Sequence, residues 1–181
     1  MKFRTIAAAA ALAIGVATGA MAQVMVGGAP MYSTKNIIEN AVNSKDHTTL
    51  VAAVKAAGLV QTLSGPGPFT VFAPTNEAFA ALPPGTVDTL LKPENKGQLT
   101  SVLTYHVVPG RYDLNSLQNA VRTTPGGRVS LKTAQGEPLT ISESGGTLMV
   151  TDSKGGSAAV TIPNVFQSNG VIMVVNKVLL P

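Results

Sequence analysis

The stretch that decides the fold is FTVFAPTNEAFAALP, residues 69–83. Its first part, Phe69 to Ala73, is a short apolar run ended by Pro74, and such a run predicts a buried β-strand. Thr75 then stands where a helix cap is expected, so NEAFAAL is predicted to form a short helix that packs Phe79 inward. The stretch therefore predicts a strand followed at once by a helix.

Helical patterns flank this stretch on both sides. Before it, residues 34–43 (TKNIIENAVN) and 48–58 (TTLVAAVKAAG) carry apolar residues at helical spacing, which predicts two short helices. After it, residues 87–91 (VDTLL) and 93–104 have the same spacing. The next segment, YHVVPG at residues 105–110, is predicted to become extended.

The second half of the chain changes to the alternation that is typical of strands. RVSLKT, EPLTISES, TLMVTD and AAVTIP alternate apolar with polar residues and are separated by glycines, which predicts successive hairpins. Val171 to Val175 is apolar at every position, as expected for a strand that is covered on both faces. Helices followed by antiparallel-type strands indicate an α+β domain whose core is a β-sandwich or a wedge of sheets.

The N-terminus has the pattern of a secretory signal peptide. Two basic residues precede an uncharged, alanine-rich run that is too short to span a bilayer. Ala20-Met21-Ala22 has the small-x-small pattern of a cleavage site, so we predict cleavage between Ala22 and Gln23. Export to the periplasm, the cell surface or the medium of a bacterium is the expected outcome.

This prediction divides the chain into three parts. Residues 1–22 are the predicted signal peptide. Residues 23–33 contain glycine and proline without periodicity, and we predict that they form a tether. Residues 34–181 are predicted to form one domain.

Composition excludes several classes of protein. The chain has no cysteine, which excludes disulfides and thiolate chemistry. Its 13 basic residues are scattered among 9 acidic ones without a cluster, so binding to nucleic acid is not expected. No apolar run after the leader is long enough to span a bilayer, so stable membrane insertion is not expected either.

The sequence offers little catalytic chemistry. His47 and His106 are its two histidines, and the acidic residues are not closely paired. Zinc-ligand spacing, a G-x-S-x-G motif and a phosphate-binding glycine loop do not occur, so we predict no enzyme activity, no metal and no cofactor. A hydrolase formed by residues that converge only in space stays open, and its test is a Ser or Thr within hydrogen-bond reach of either histidine.

Tyr105 and His106 are adjacent at the predicted change from helix to strand. Their side chains are expected to point to opposite faces of the extended segment, one buried and the other outward. Two interpretations follow. Either His106 is a core histidine held by backbone hydrogen bonds, or the pair forms part of a contact surface for a partner.

Three segments together resemble the fasciclin-type domain family. They are residues 69–83, the Tyr-His segment LTYHVVPG at residues 103–110, and SNGVIMVVNKVLLP at residues 168–181. The resemblance covers about residues 32–181. It implies a wedge of two β-sheets with several helices packed on one side, in a secreted or surface-bound protein of adhesion or matrix organisation without catalysis.

The same resemblance bears on the choice of partner. In animal relatives the Tyr-His motif has been linked to integrin contact, and it carries over intact onto Tyr105 and His106. The Asp-Ile dipeptide associated with integrin binding is replaced here by Asn164-Val165, which lacks a carboxylate able to coordinate an integrin's metal ion. Integrin binding is therefore not expected.

Three hypotheses follow for the function. The first is an exported interaction module that binds a protein or glycan partner, with Tyr105 and His106 as candidate contacts. The second is a periplasmic carrier that holds a small apolar ligand between the helices and the β-wedge. The third is the hydrolase named above.

Overall fold

The fold is described from a computed structural model, which covers residues 23–181. The predicted signal peptide, residues 1–22, lies outside the described residues, and so does Ala22 at its predicted cleavage site. Gln23 is the first residue described, and it is exposed. Within residues 23–181, no helix is both long enough and apolar enough to cross a bilayer.

Helices occupy most of the first two thirds of the described chain, and strands occupy most of the last third. The helices are α1 (Ile37–Ala41), α2 (Thr48–Ala57), α3 (Val60–Ser64), α4 (Asn76–Ala80), α5 (Thr86–Leu90), α6 (Lys96–Tyr105) and α7 (Leu114–Thr123), with 3-10 turns at Lys45–His47 and Pro93–Asn95. The strands are β1 (Met25–Val26), β2 (Ala29–Pro30), β3 (Phe69–Pro74), β4 (Val107–Pro109), β5 (Arg128–Lys132), β6 (Pro138–Ser144), β7 (Thr147–Thr151), β8 (Ser157–Gln167) and β9 (Gly170–Val175).

The stretch at residues 69–83 forms the predicted strand and helix. β3 ends at Pro74, and the side chain of Thr75 accepts a hydrogen bond from the amide of Ala78 at 3.2 Å, which caps α4. Phe79 is buried on the inner face of α4. This part of the prediction is confirmed.

Seven strands pair in the order β4-β3-β9-β8-β7-β6-β5. β3 and β9 are parallel neighbours, and the other pairs are antiparallel. The long strand β8 pairs with β7 through Ser157–Ala159 and with β9 through Val160–Gln167, and its register shifts twice between Val160 and Val165. These irregularities bend the sheet into two halves that share β8, which gives the wedge.

Two hydrophobic cores lie on opposite faces of β3 and β9. Register partners Val71 and Ile172 join the core beneath the helices, here called the helix core. The next pair, Phe72 and Met173, joins the core between the two halves of the sheet, here called the wedge core. Because successive strand residues point to opposite faces, β9 must be apolar at every position. The α+β wedge is thus confirmed, with most helices on the helix core and α7 packed against the wedge core.

The predicted tether at residues 23–33 is wrong. β1 and β2 form an antiparallel hairpin, and Val26 and Met31 are buried in the helix core. The amide of Lys45 donates to the carbonyl of Gly27 at 3.3 Å, which fastens the hairpin to the domain. Two-residue strands are too short to produce a periodic pattern, so sequence alone gave no sign of them.

The sequence pattern also missed α7. The carboxylate of Asp113 accepts from the amide of Ser116 at 2.7 Å and caps the helix, while Leu117 and Val121 face the wedge core. The change to strand comes at Arg128 rather than near Val121. Leu117 and Val121 are four residues apart, a helical spacing that was available in the sequence.

Candidate functional site

Tyr105 lies in the interior at the last residue of α6. Its side chain is fully buried in the wedge core. The hydroxyl donates to the carbonyl of Pro138 at 3.0 Å and accepts from the amide of Ser153 at 2.9 Å. Burial raises the pKa of the Tyr105 hydroxyl, which favours the protonated form that can donate. Tyr105 therefore joins α6 to β6 and to the loop after β7.

His106 follows as the C-cap of α6 and is also buried. Its Nε2 accepts from the backbone amide of Leu179 at 2.9 Å, so the ring proton is on Nδ1, which donates to the carbonyl of Val102 at 2.7 Å. Burial lowers the pKa of His106 to about 4, and the Val102 carbonyl and the charge of Asp152 act against this shift. The ring is therefore neutral at ordinary pH and holds the C-terminal segment against α6.

The two side chains point in different directions, because Tyr105 enters the wedge core while His106 lies beside the helix core. The predicted extended conformation of the pair is wrong, since Tyr105 ends α6, His106 keeps a helical conformation and the strand begins at Val107. The expectation that one of them points outward is wrong. Pro138, Ser153 and Leu179, which are distant in sequence, cover the pair and form hydrogen bonds with its polar side-chain atoms. In this structure Tyr105 and His106 do not form an exposed contact surface, and their contacts are those of a structural pair.

An open groove with an apolar side chain at its edge lies elsewhere on the domain. It is lined by residues 23–24, 31–34 and 164–166, has a volume of about 620 Å³, and is called here the Phe166 groove. Phe166 is 39% exposed and is one of three large apolar residues, with Met25 and Val42, that are exposed among the described residues. Asn164 has a positive φ of 57°, and its amide side chain brings no carboxylate to the groove. Its Oδ1 accepts from the amide of Leu114 at 2.7 Å.

Two exposed cations lie beside this groove. The carbonyl of Lys35 accepts from the amide of Ser168 at 2.9 Å, and the guanidinium of Arg111 donates to the carbonyl of Gln167 at 3.0 Å. The backbone of Lys35 is thus attached to the turn after the groove strand β8, and the guanidinium of Arg111 is attached to the last residue of β8. The nearby carboxylate of Asp113 is engaged as the cap of α7. Sequence reasoning missed this site because its two walls are more than a hundred positions apart.

A second, smaller space lies between α1, α2 and the sheet. It has a volume of about 40 Å³ and is called here the His47 cavity, since His47 is one of its few polar wall residues. Nδ1 of His47 lies 2.9 Å from Oγ of Ser44. Burial lowers the pKa of His47, against the influence of the Ala73 carbonyl and of Asp46. The Ala73 carbonyl comes near the ring without reaching hydrogen-bond geometry, and Nε2 of His47 has no hydrogen-bond partner.

The Ser44–His47 pair meets the distance test for a nucleophile and its base. Ser44 is 2% exposed and His47 is 3% exposed, so neither reaches solvent. No carboxylate orients the ring, because its other nitrogen is unpaired. A space of about 40 Å³ is also too small for a substrate beside the pair. The geometry therefore does not support a hydrolase at this position.

The part of the chain that the structure describes contains no cluster of metal-binding side chains. Within residues 23–181, no three His, Asp or Glu side chains come together as a metal site would require.

Comparison with known proteins identifies the family. A family model described as the Fasciclin domain matches residues 45–181. Protein sll1483 of Synechocystis sp. is 45% identical over 176 residues, covering 93% of this chain and 90% of that protein. Immunogenic protein MPB70 of Mycobacterium bovis is 35% identical over 192 residues, covering 95% of this chain and 90% of that protein. Human periostin is 31% identical over 147 residues, covering 81% of this chain but only 16% of periostin.

A solved structure agrees on the fold. The FAS1 domain pair of the insect cell adhesion molecule Fasciclin I matches with a TM-score of 0.72 at 18% identity, covering 81% of this chain and 51% of that chain. The strand-to-helix stretch at residues 69–83, the bent sheet that shares β8 and the matches along most of the chain lead to one conclusion: this protein belongs to the fasciclin family.

Proposed function

We propose that this protein is an exported interaction module that binds a protein partner through the Phe166 groove. The observation that carries the proposal is an exposed aromatic side chain, 39% accessible, at the edge of an open groove of about 620 Å³. Large apolar residues exposed next to a groove are typical of sites that a partner covers. Its fasciclin relatives include periostin and MPB70, and the structural match is to a cell adhesion molecule.

The chemistry of the groove indicates what the partner presents. Half-buried Val24 supplies apolar surface beside Phe166, above the buried side chains of Met31 and Val165, so the partner contributes an apolar side chain. Lys35 and Arg111 are exposed and contact the adjacent end of β8 and its turn. A carboxylate beside the partner's apolar side chain is therefore favoured over a cation. The partner segment is therefore apolar with an acidic neighbour.

Side-chain contact is favoured over strand addition. β8 pairs only with β9 beyond Ala159, which leaves one edge of that strand without a neighbouring strand among the described residues. This edge is interrupted by Pro163, which has no amide hydrogen, and by the left-handed Asn164. Such interruptions protect an edge from pairing with a foreign strand.

The groove offers no acidic ligand to an integrin's metal ion. Asn164 stands where animal relatives carry the aspartate, and its Oδ1 is already used by the amide of Leu114. The partner class proposed here is therefore a protein other than an integrin. A glycan partner is the alternative, and protease and glycosidase treatments distinguish a protein partner from a glycan.

The test is binding of the fluorescently labelled, exported protein to intact cells of the producing organism. Phe166→Ser removes the aromatic side chain from the groove and is expected to weaken binding at least tenfold. Val42→Ser is the matched control, since Val42, the C-cap of α1, is 49% exposed and lies outside the groove. Protease treatment of the cells should abolish binding; loss after glycosidase treatment alone would favour the glycan. Equal binding by the two variants would overturn the groove as the contact site.

The apolar-carrier hypothesis finds limited support. The His47 cavity lies where that hypothesis places the ligand, between the helices and the sheet, and most of its wall is apolar. Its volume of about 40 Å³ is far below the roughly 300–1,000 Å³ of pockets for larger ligands. We therefore give the interaction role precedence.

A further inference from the structure

Residues 177–181 follow β9 without forming a helix or a strand, and they are called here the C-terminal segment. The amide of Leu179 donates to Nε2 of His106 at 2.9 Å, and the amide of Leu180 donates to Oδ2 of Asp152 at 3.1 Å. Within the described chain, these two hydrogen bonds are the only ones that the segment makes. Both acceptors belong to ionisable side chains, so the attachment of the segment depends on their charge.

We propose that the C-terminal segment is an acid-released latch, which opens locally and ahead of the rest of the fold when His106 takes up a proton. The closed latch needs Nε2 of His106 as an acceptor. A proton on Nε2 turns this atom into a donor that faces the donor N–H of Leu179, so the hydrogen bond is lost. The inference is independent of the Phe166 groove, because no residue of the segment lines that groove.

Proton uptake by His106 is coupled to opening of the segment. In the closed state the ring is 2% exposed and Leu179, whose amide meets Nε2, is 1% exposed. Burial is the main cause that lowers the pKa of His106 to about 4. In the open state Nε2 meets solvent, so we expect the ring to regain its ordinary pKa of 6.5. The open state therefore binds the proton more tightly, and opening becomes more favourable as the pH falls below about 6.5.

Four other ionisable groups lie near His106 or on the segment. The charge of Asp152 acts on the ring and favours its protonated form. Burial raises the pKa of Tyr105 and lowers that of His47, which lines the same cavity as His106, so both side chains favour their neutral forms. Lys177 is exposed, so solvent screens its charge. The nearest charge thus supports proton uptake by the ring.

The attachment of the preceding residues confines opening to the segment. β9 is held between β3 and β8, and the amide of Asn176 donates to the carbonyl of Ala159 at 3.2 Å. Oδ1 of Asn176 accepts from the amide of Ala159 at 2.8 Å. The segment can therefore open from Lys177 onward while the sheet stays paired. Val178 would then leave the helix core and Leu179 the wedge core, which makes apolar surface of both cores accessible.

Amide hydrogen exchange of the full chain, purified after export, tests the latch at Leu179 and Leu180. The opening constant of these amides, corrected for the intrinsic exchange rate, is expected to exceed that of the amides at the centre of β9 at pH 7. It should rise roughly twentyfold between pH 7 and pH 5, as the two pKa values of His106 require. An opening constant that is independent of pH, or one equal to that of β9 at both pH values, would overturn the proposal.

His106→Gln separates titration of the ring from the hydrogen bonds that it makes. Glutamine offers an acceptor for the amide of Leu179 and a donor for the carbonyl of Val102, but it does not titrate. The opening constant of the segment should therefore lose most of its dependence on pH. A full twentyfold response in the folded His106→Gln protein would contradict the latch.

Asp152→Asn tests the second attachment and decides if His106→Gln does not fold. Oδ1 of Asp152 accepts from the amides of Lys154 and Gly156, so an asparagine that keeps these bonds turns an N–H donor toward the amide of Leu180. The opening constant at pH 7 should rise roughly tenfold or more, with the dependence on pH retained. Asp88→Asn, an exposed acid on α5, is the matched control and should change neither quantity. Equal opening constants in Asp152→Asn and Asp88→Asn would overturn the proposal.

Discussion

At the residue scale, His106 makes the stability of this domain depend on pH. Burial lowers its pKa from 6.5 to about 4, so between these values the unfolded chain binds more protons than the folded one. This contribution to stability is complete above pH 6.5 and is lost progressively as the pH falls toward 4. At about 1.4 kcal/mol per pKa unit, the total loss is roughly 3 kcal/mol.

Urea unfolding between pH 7 and pH 5 measures this effect above the range in which most carboxylates titrate. The free energy of unfolding should decrease steadily over this interval, and Asp152, the acidic group whose charge reaches the ring, moderates the decrease. His47 contributes in the same direction. His106→Gln should therefore reduce the slope without removing it, and a flat profile for the unaltered protein would contradict the neutral, buried ring.

Tyr105→Phe tests the structural role of the neighbouring hydroxyl. The change leaves the Ser153 amide without its hydrogen-bond acceptor and the Pro138 carbonyl without its donor. Losing such buried bonds is expected to lower the free energy of unfolding by about 1–3 kcal/mol. Chemical denaturation measures the loss. A change within about 0.3 kcal/mol would mean that solvent replaces both contacts.

The Tyr-His pair marks the limit of sequence reasoning at this scale. The helix-to-strand junction was predictable from local pattern to within two residues, since the strand begins at Val107 rather than at Tyr105. Burial was not, because the groups that cover the pair come from Pro138, Ser153 and Leu179, which no local pattern connects to it.

At the scale of elements, Gly27 determines how the N-terminal hairpin lies on the domain. It has a φ of +57°, and a Cβ there would come within 2.5 Å of Ser44 Oγ and 2.7 Å of the Asp46 amide nitrogen. Gly27→Ala should therefore displace the hairpin and cost at least about 2 kcal/mol. Hydrogen exchange over residues 24–31 should become at least tenfold faster.

Gly28→Ala is the matched control for the hairpin. Gly28 also has a positive φ, +75°, but a Cβ there would meet nothing within 4 Å. Only the backbone strain remains, about 1 kcal/mol. Equal effects of the two changes would show that close packing against Ser44 is unimportant.

Asn169 joins three elements through one side chain. Its Oδ1 accepts from the amide of Ile37 in α1, and its Nδ2 donates to the carbonyls of Leu63 and Gly65 at the end of α3. Asn169→Ala leaves these groups unpaired and should lower the free energy of unfolding by about 3 kcal/mol or more. Thermal and urea denaturation measure it, with exposed Asn119→Ala expected to change stability by less than about 0.5 kcal/mol. A similar small change for both would contradict the role of Asn169.

Elements were predictable where a local signal extended over several residues. The strand and capped helix at residues 69–83 and the buried strand β9 follow from runs of five or more residues with one pattern. The hairpin β1–β2 has two residues in each strand, and its stability comes from burial of Val26 and Met31 under distant helices. No local pattern could reveal it.

At the scale of the whole molecule, the wedge determines which surfaces can meet a partner. It buries Tyr105 and His106 and leaves Phe166 open beside the N-terminal segment. The family and the α+β architecture were predictable from three sequence segments. The groove was not, since its walls, residues 23–24 and 31–34 on one side and 164–166 on the other, are distant in sequence and meet only in the folded domain.

The most direct test of the account is to compare Phe166→Ser with Tyr105→Phe in the same cell-binding assay, after confirming that both variants unfold cooperatively. We predict at least a tenfold loss of binding for Phe166→Ser and unchanged binding for Tyr105→Phe, because the first residue lies in an open groove and the second lies in the wedge core. Retained binding by Phe166→Ser together with lost binding by Tyr105→Phe would contradict the account and return the contact site to the Tyr-His pair.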